Sequence, residues 1–224
     1  EDTISRSIAS AKVDMNPHQV EAALFALRSP LSQGVILADE VGLGKTIEAS
    51  LVIAQKWAER QRKILLIVPA MLRNQWAQEL SEKFSMPTTI METSSYNAAK
   101  KAGKLNPFES DRIVICSYEF AASKDVDVKN IDWNLVIFDE AHKLRNVWQK
   151  EANKAKKAKK LQAALDGKKK MLLSATPLQN SLLELYGLVS IIDPHFFGSA
   201  DAFKAQYVGG RATAQNLDIL KHRL

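Results

Sequence analysis

Two glycines, a lysine and a threonine follow a short apolar segment, in the order Gly42-Leu43-Gly44-Lys45-Thr46. Glycines here let the backbone turn its N–H groups towards a phosphate, and a helix that starts directly after them adds the positive end of its dipole. Lys45 would reach the β- and γ-phosphates, and Thr46 would offer its hydroxyl to Mg²⁺. The usual phosphate-loop pattern begins with glycine where this sequence has Asp39, so an ordinary strand-to-helix turn is the alternative. The pattern predicts that Gly42, Gly44, Lys45 and Thr46 bind ATP and Mg²⁺.

Two adjacent acids end a second apolar segment, Leu135–Phe138. Asp139 would hold Mg²⁺, which prefers carboxylate and phosphate oxygens in an octahedral shell. Glu140 would polarise the water that attacks the γ-phosphate. Two solvated acids at a strand end would give the same pattern, but the glycine-rich loop favours the catalytic interpretation because ligands gather at the carboxyl ends of parallel strands. The predicted catalytic residues are Lys45, Asp139 and Glu140.

Short apolar runs alternate with helix-like stretches along most of the chain. The predicted strands are rich in Val, Ile and Leu and bounded by polar residues: Val35–Ala38, Ile64–Val68, Ile113–Cys116, Leu135–Phe138 and Met171–Leu173. The predicted helices are Gly44–Arg60, Met71–Phe84, Ser95–Lys101, Val147–Leu165 and Asn180–Ile192. This alternation predicts an α/β fold in three layers, with a mostly parallel central sheet and helices on both faces.

Three parts of the chain are expected to differ in organisation. Residues 1–16 lack clear periodicity and are predicted to form an N-terminal arm. Residues 17–195 would form the α/β domain. Residues 196–224 carry scattered apolar side chains and are predicted to form a helical tail.

The composition excludes several classes of protein. With 46% hydrophobic and 25% charged residues, the chain is too apolar for intrinsic disorder. Its apolar runs are too short to cross a bilayer and no signal peptide is visible, so we expect a cytoplasmic protein without a membrane partner. The single cysteine, Cys116, permits no internal disulfide and is expected to be buried. The four histidines lack the spacing of a zinc site, so no zinc is expected.

One segment carries the whole net charge of +6. Lys143–Lys170 contains eleven Lys or Arg and two acids, so the rest of the chain is slightly acidic. The segment could face DNA or form a solvated helix, and the spread of its lysines around a helix favours the solvated helix. Trp76 and Trp133 are expected to be packing groups rather than surfaces on which bases stack.

Several segments, in this order, resemble the motifs of helicase superfamily two, and more closely those of SWI/SNF-type ATPases and their bacterial members. They are Pro17-His18-Gln19, Asp39–Glu48, Ile67-Val68-Pro69, Asn74-Gln75-Trp76, Ser117-Tyr118-Glu119, Asp139–Asn146 and Ser174–Asn180. The nucleotide loop of that family also has Asp in place of the first glycine, so Asp39 supports the resemblance. The match covers about residues 15–195 and implies a RecA-like ATP-binding lobe, the first of two.

The resemblance also implies roles for residues outside the phosphate loop and the acid pair. Gln19 would contact adenine. Three residues would link the nucleotide state to closure of the two lobes: His142, Ser174 and Thr176. Four residues would contact the phosphate backbone of nucleic acid, which gives affinity without sequence choice: Pro69, Arg73, Ser117 and Tyr118.

The activity that the resemblance implies is ATP-driven movement along double-stranded DNA, with remodelling of protein–DNA complexes. A lobe of a strand-separating DEAH-box helicase is one alternative, and a nucleotide-gated binding module without turnover is another. The second lobe of the family brings an arginine pair to the γ-phosphate, and no segment here matches it. The chain alone is therefore expected to hydrolyse ATP very slowly or not at all, and the second lobe is an expected partner.

Overall fold

A six-stranded parallel sheet forms the centre of the molecule, with strand order β1-β6-β5-β2-β4-β3. The computed structural model describes residues 17–28, 33–38, 44–145, 147, 153–175 and 182–208. The strands are β1 (Gly34–Ala38), β2 (Ile64–Val68), β3 (Thr88–Ile90), β4 (Ile113–Ser117), β5 (Leu135–Phe138) and β6 (Lys170–Ser174).

Helices cover both faces of the sheet. They are α1 (Pro17–Arg28), α2 (Lys45–Ala58), α3 (Arg73–Phe84), α4 (Thr93–Lys101), α5 (Tyr118–Ser123), α6 (Asp125–Lys129), α7 (Asn153–Ala164), α8 (Leu182–Ile192) and α9 (Ala200–Phe203). Short 3₁₀ turns occupy Ala70–Leu72 and Ala141–Leu144, and a π-helical turn, Lys204–Val208, follows α9. The predicted three-layer α/β fold is confirmed. Among the residues described, no helix is long and apolar enough to cross a membrane.

The strands are apolar throughout because both of their faces are buried. On β2, Leu65 and Ile67 face one core, while Leu66 and Val68 face the other. Helices α1, α2 and α3 cover the second core, and α4 to α8 cover the first. Continuous Val, Ile and Leu runs are the expected signature of such strands, since alternation with polar residues would place polar groups in a core.

Among the elements that the sequence did not predict are β3, α1 and α5. Strand β3, Thr88–Ile90, lies at the edge of the sheet, and its two threonines give it no apolar run. Helix α1 precedes the first strand, and α5 starts directly at the end of β4. Each of the three is short or weakly patterned, so its formation depends on packing against the sheet rather than on its own periodicity.

The first part of the predicted tail packs on the α/β domain. Phe197, Phe203 and Tyr207 form an aromatic cluster with Tyr186 of α8, with ring centroids 4.9–6.4 Å apart along the series. The hydroxyl of Tyr186 donates to the carbonyl of Gly198 at 2.8 Å. Residues 196–208 therefore share an apolar cluster with α8. The predicted arm, residues 1–16, and residues 209–224 of the tail lie outside the described residues.

A lysine is buried at the amino end of β6. Lys170 is 1% exposed, and its Nζ donates to the carbonyl of Lys168 at 2.9 Å. Burial lowers the pKa of Lys170 to about 8, although Asp166 and Asp193 act in the opposite direction. The folded state therefore disfavours the lysine charge.

We expect Lys170→Met to raise the free energy of unfolding at pH 7 by about 1–4 kcal/mol, the range seen when apolar residues replace buried ion pairs in other proteins. Below about pH 8 the folded protein bears the cost of the buried charge, and raising the pH from there towards the ordinary value of 10.5 relieves it. The stability of the parent should thus rise over this range relative to that of the variant. Urea unfolding of both proteins at pH 7 and near pH 10 measures the difference, with Lys101→Met on the exposed end of α4 as control. A variant less stable than the parent at pH 7 would contradict this account of Lys170.

Candidate functional site

The three central motifs meet at one edge of the sheet. Strand β6 lies between β1, which precedes the glycine-rich loop, and β5, which precedes the acid pair. Ala38 at the end of β1 pairs with Ser174, and Phe138 at the end of β5 pairs with Leu172. Because all three strands are parallel, their carboxyl ends place Lys45, Asp139 and Ser174 on the same side of the molecule, where ligands bind in folds of this type.

Gly44 starts helix α2 in a conformation that favours glycine. Its φ is 90°, in the left-handed region, and the N–H of Ile47 donates to its carbonyl at 2.8 Å. Gln19 of α1 lies directly against it, because a Cβ added to Gly44 would be 2.0 Å from Gln19 Nε2. The structure therefore brings the predicted adenine contact, Gln19, against Gly44, with Lys45 and Thr46 in the first turn of α2. Gly42 lies outside the described residues.

Asp139 is held at both carboxylate oxygens. The indole N–H of Trp76 donates to Oδ2 at 2.8 Å, and the backbone N–H of Glu140 donates to Oδ1 at 2.9 Å. The main chain is held as well, since the Tyr118 hydroxyl donates to the Asp139 carbonyl at 2.6 Å and the Asp139 N–H donates to the Ile67 carbonyl. The carboxylate thus has one preferred orientation.

The electrostatics at Asp139 suit a cation. Burial raises the pKa of Asp139, while the Trp76 and Glu140 hydrogen bonds and the charge of Lys45 act to lower it. A magnesium ion beside the carboxylate would favour the ionised form that burial disfavours. Among the residues described, no cluster of three or more His, Cys, Asp or Glu could hold a metal. Magnesium bound with a nucleotide needs no such cluster, because phosphates and water supply most of its ligands.

Glu140 adopts a left-handed backbone conformation, with φ 52° and ψ 47°. This conformation ends β5, starts the turn Ala141–Leu144, and costs about 1–2 kcal/mol for a residue other than glycine. The side chains of the two acids therefore have different partners. Asp139 accepts from Trp76 of α3, while Glu140 Oε2 lies 3.1 Å from His142 Nδ1. Strain of this kind is common at active sites, because the surrounding structure maintains it where a side chain must be aimed.

The three predicted coupling residues have different positions. His142 contacts the predicted catalytic Glu140. Ser174 is 1% exposed at the end of β6, between the loop-bearing and acid-bearing strands. Thr176 lies outside the described residues. Their role in lobe closure stays a prediction.

An open groove of about 640 Å³ lies beside this edge of the sheet and contains two of the four predicted nucleic-acid contacts, Arg73 and Ser117. Arg73 Nη1 donates to Glu92 Oε2 at 2.9 Å and its Nε donates to the Ala70 carbonyl, while the Ser117 hydroxyl caps α5 by accepting the Phe120 N–H. The other two predicted contacts, Pro69 and Tyr118, are buried. Contact of all four with nucleic acid stays a prediction.

The lysine-rich helix α7 packs through small and apolar side chains. Ala155, Ala158 and Leu161 are buried against the core. Lys157 pairs with Glu119 at 3.6 Å, and Lys160 pairs with Asp125 at 3.7 Å. Exposed pairs of this kind contribute little to stability. The arrangement favours the solvated helix over a dedicated DNA-facing patch.

Cys116 and Trp76 show what packing adds to residue type. Cys116 is fully buried in β4, as predicted, and burial raises the pKa of its thiol to about 12. Trp76 is buried as a packing group, and its hydrogen bond to Asp139 also makes it part of the site. Sequence reasoning missed this contact and the Glu92–Arg73 pair, because the partners are 63 and 19 residues apart and no local pattern links them.

Comparisons with known proteins agree with this geometry. The family described as the SNF2-related domain matches residues 18–221. Among curated proteins, the chain is 34% identical over 213 residues to the RNA polymerase-associated protein RapA of Pectobacterium carotovorum, covering 93% of this chain and 22% of that protein. It is 35% identical over 211 residues to an uncharacterized ATP-dependent helicase, YqhH of Bacillus subtilis, covering 92% of this chain and 34% of that protein.

A solved structure with the same fold is the SWI2/SNF2 ATPase core of Sulfolobus solfataricus in complex with double-stranded DNA. It matches with a TM-score of 0.77 at 22% identity, over 96% of this chain and 43% of the other. A second structure of that ATPase core domain matches with a TM-score of 0.72. The chain thus spans between about a fifth and a third of the curated relatives, and less than half of the solved ones.

Proposed function

The chain belongs to the family of SNF2-related domains, and on this premise we propose that it is the ATP-binding lobe of a DNA-dependent ATPase. The whole protein would translocate on double-stranded DNA and remodel protein–DNA complexes. The observation that carries the proposal is the meeting of Lys45, Asp139 and Glu140 at the carboxyl edge of one parallel sheet. Because the chain belongs to this family, we expect a nucleoside triphosphate to bind at the carboxyl edge of the sheet.

Each residue at the edge has a distinct task in ATP hydrolysis. Lys45, at the start of α2, would place its charge on the β- and γ-phosphates, and Gly44 and Gly42 would let backbone N–H groups approach them. Gln19, against Gly44, would hydrogen-bond adenine. Thr46 and Asp139 would hold the magnesium ion, whose chemistry is to neutralise charge on the phosphate oxygens.

Glu140 would accept a proton from the attacking water. Its side chain is 39% exposed, so a water can approach the carboxylate, and His142 Nδ1 lies 3.1 Å from its Oε2. In this chain His142 would hold Glu140 until closure of the second lobe rearranges the pair together with Ser174 and Thr176. A second lobe would also supply the arginines at the γ-phosphate, and such groups contribute about 10³–10⁵ in rate in other phosphoryl-transfer enzymes.

The groove at Arg73 and Ser117 is the proposed path of the nucleic acid. It opens beside the nucleotide edge, and although Glu92 and Glu119 place two carboxylates in its lining, it offers phosphates the Arg73 cation, hydroxyl groups and the start of α5. Contacts of this type bind the phosphate backbone and carry no sequence preference. Duplex DNA is favoured as the partner because the solved relative with a TM-score of 0.77 was determined with double-stranded DNA.

The two alternatives make different predictions. A strand-separating helicase lobe would be stimulated by single strands and would displace a strand. A nucleotide-gated binding module would change its DNA affinity with nucleotide but would not turn over. The acids at the end of β5 and the residues around Lys45 favour an enzyme for the whole protein.

The ATPase rate of a protein that contains this chain and a second lobe tests the proposal. We expect strong stimulation by duplex DNA, with falling stimulation as salt rises because phosphate contacts release counterions. Stimulation by single strands or RNA alone would replace the proposal by the helicase alternative. Absence of stimulation by any nucleic acid would reject the proposed partner.

A further inference from the structure

The indole N–H of Trp76 donates directly to the carboxylate of the proposed magnesium ligand, Asp139. It lies 2.8 Å from Asp139 Oδ2, and the tryptophan is 2% exposed. A buried indole N–H needs an acceptor, and a backbone carbonyl would serve equally well, as Val128 does for Trp133. In this fold the acceptor is instead a carboxylate of the proposed catalytic edge.

The bond to Trp76 decides which way the carboxylate turns. The Glu140 N–H on Oδ1 comes from the neighbouring residue and moves with the same strand end. Trp76 comes from a different element, α3, so it anchors the carboxylate to the layer of helices that packs on the sheet. Without the indole donor, the Asp139 carboxylate would retain one local hydrogen bond among the residues described and could rotate.

Helix α3 is itself well fixed. At its first residue, Arg73 bonds the Ala70 carbonyl and the Glu92 carboxylate, each at 2.9 Å. One turn after Trp76, Leu80 is fully buried in the same core. The donor therefore has a rigid support, which is the condition for one side chain to orient another.

We propose that Trp76 is a positioning residue that holds the Asp139 carboxylate in the orientation required for the nucleotide-bound magnesium ion. The inference rests on the proposed function, since it assigns Asp139 to magnesium. Loss of partners that orient a metal ligand lowers metal affinity by about 10–100-fold in other proteins. Loss of the Trp76 N–H should have an effect of that size on the magnesium-dependent part of nucleotide binding.

The chain offers a matched pair of variants. Trp76→Phe retains a large apolar ring and removes the N–H. Trp133→Phe removes an equally buried indole donor, 5% exposed and bonded to the Val128 carbonyl at 2.9 Å, just before β5 and hence at the opposite edge of the sheet. Both variants lose one buried hydrogen bond, so both melting temperatures should fall, and further in Trp76→Phe because its bond is to a carboxylate.

Calorimetric titration of the whole 224-residue chain with a β,γ-imido analogue of ATP, in excess Mg²⁺ and in EDTA, measures the effect. We expect the affinity gained from Mg²⁺ to fall about 10-fold or more in Trp76→Phe and to be unchanged in Trp133→Phe. Affinity in EDTA should be the same in all three proteins, because Lys45 and the phosphate loop are intact.

Two results would overturn the proposal while the proposed function stands. One is a Trp76→Phe protein that gains as much affinity from Mg²⁺ as the parent. The other is a Trp133→Phe protein that loses as much as Trp76→Phe, because the effect would then be a general loss of stability. A parent chain whose analogue affinity does not depend on Mg²⁺ would instead reject the assignment of Asp139, and the role of Trp76 would fall with it.

Discussion

Glu140→Gln is expected to lower the duplex-stimulated ATPase rate by about 10²–10⁴-fold, the range for loss of a general base. The amide has the shape of the carboxylate but does not accept a proton from water at neutral pH. It should tolerate the left-handed backbone at this position about as well as glutamate does, because both side chains are unbranched at Cβ. Nucleotide affinity should remain nearly unchanged, since Lys45 and Asp139 are intact.

The measurement pairs steady-state ATPase rates with analogue binding, in a protein that includes the second lobe. Glu82→Gln is the matched control, because it removes the same charge from the exposed side of α3, where Glu82 bonds only Gln78 among the hydrogen bonds described. A control that loses as much rate would show a general charge effect. A Glu140→Gln protein that retains its rate would refute the assignment of the base, and parallel loss of binding would give Glu140 a structural role.

The second large effect is expected from Gly34→Ala, through stability rather than chemistry. A Cβ at Gly34 would lie 2.3 Å from the backbone carbonyl oxygen of Lys170 and 3.0 Å from Ile192 Cγ2. Gly34 and Lys170 pair in register, so the clash is between two strand backbones and no side chain can turn away from it. Overpacking of this kind costs about 1–3 kcal/mol, and occasionally more.

Thermal and urea unfolding of the parent and Gly34→Ala proteins measure that cost. Gly103→Ala is the comparison, because Gly103 has a φ of 86° but no atom within 4 Å of the added Cβ. Its cost should be that of the left-handed backbone alone, about 1–2 kcal/mol. A Gly34→Ala protein as stable as the parent would mean that β1 and β6 can separate without loss. Because β1 leads into the phosphate loop, the surviving folded fraction should also bind nucleotide less well.

The burial of Asp139 supports the proposed cation site at this edge of the sheet. Burial raises the pKa of Asp139 in the protein without ligand, so the ionised carboxylate is held at some cost in stability. Sites with this property are common in enzymes, because the binding of an ion or substrate relieves the cost. The same reasoning separates Asp139 from Cys116, whose pKa is also raised by burial but which lies within β4 among apolar neighbours.

Most of the secondary structure and the fold class could be predicted from the sequence. The runs Ile64–Val68 and Leu135–Phe138 are strands with the predicted bounds, because short runs rich in Val, Ile and Leu suit strands that are buried on both faces of a sheet. The edge strand Thr88–Ile90 was missed because half-buried residues at an edge need no apolar run. Helix α7 begins at Asn153 among the described residues, six residues after the predicted start.

The amino-acid sequence by itself determined which residues could do chemistry, since glycine, lysine and paired acids at strand ends are local patterns that reflect local geometry. The strand order could not be read from local patterns. In that order β6 lies between β1, which leads to the loop, and β5, which leads to the acids. That order results from pairing between segments more than 100 residues apart, such as Ala38 with Ser174. Only the tertiary structure therefore placed Gln19 on Gly44, Arg73 beside Glu92 and the Trp76 indole on Asp139. Contacts of this kind depend on which faces pack together, and packing is a property of the whole chain.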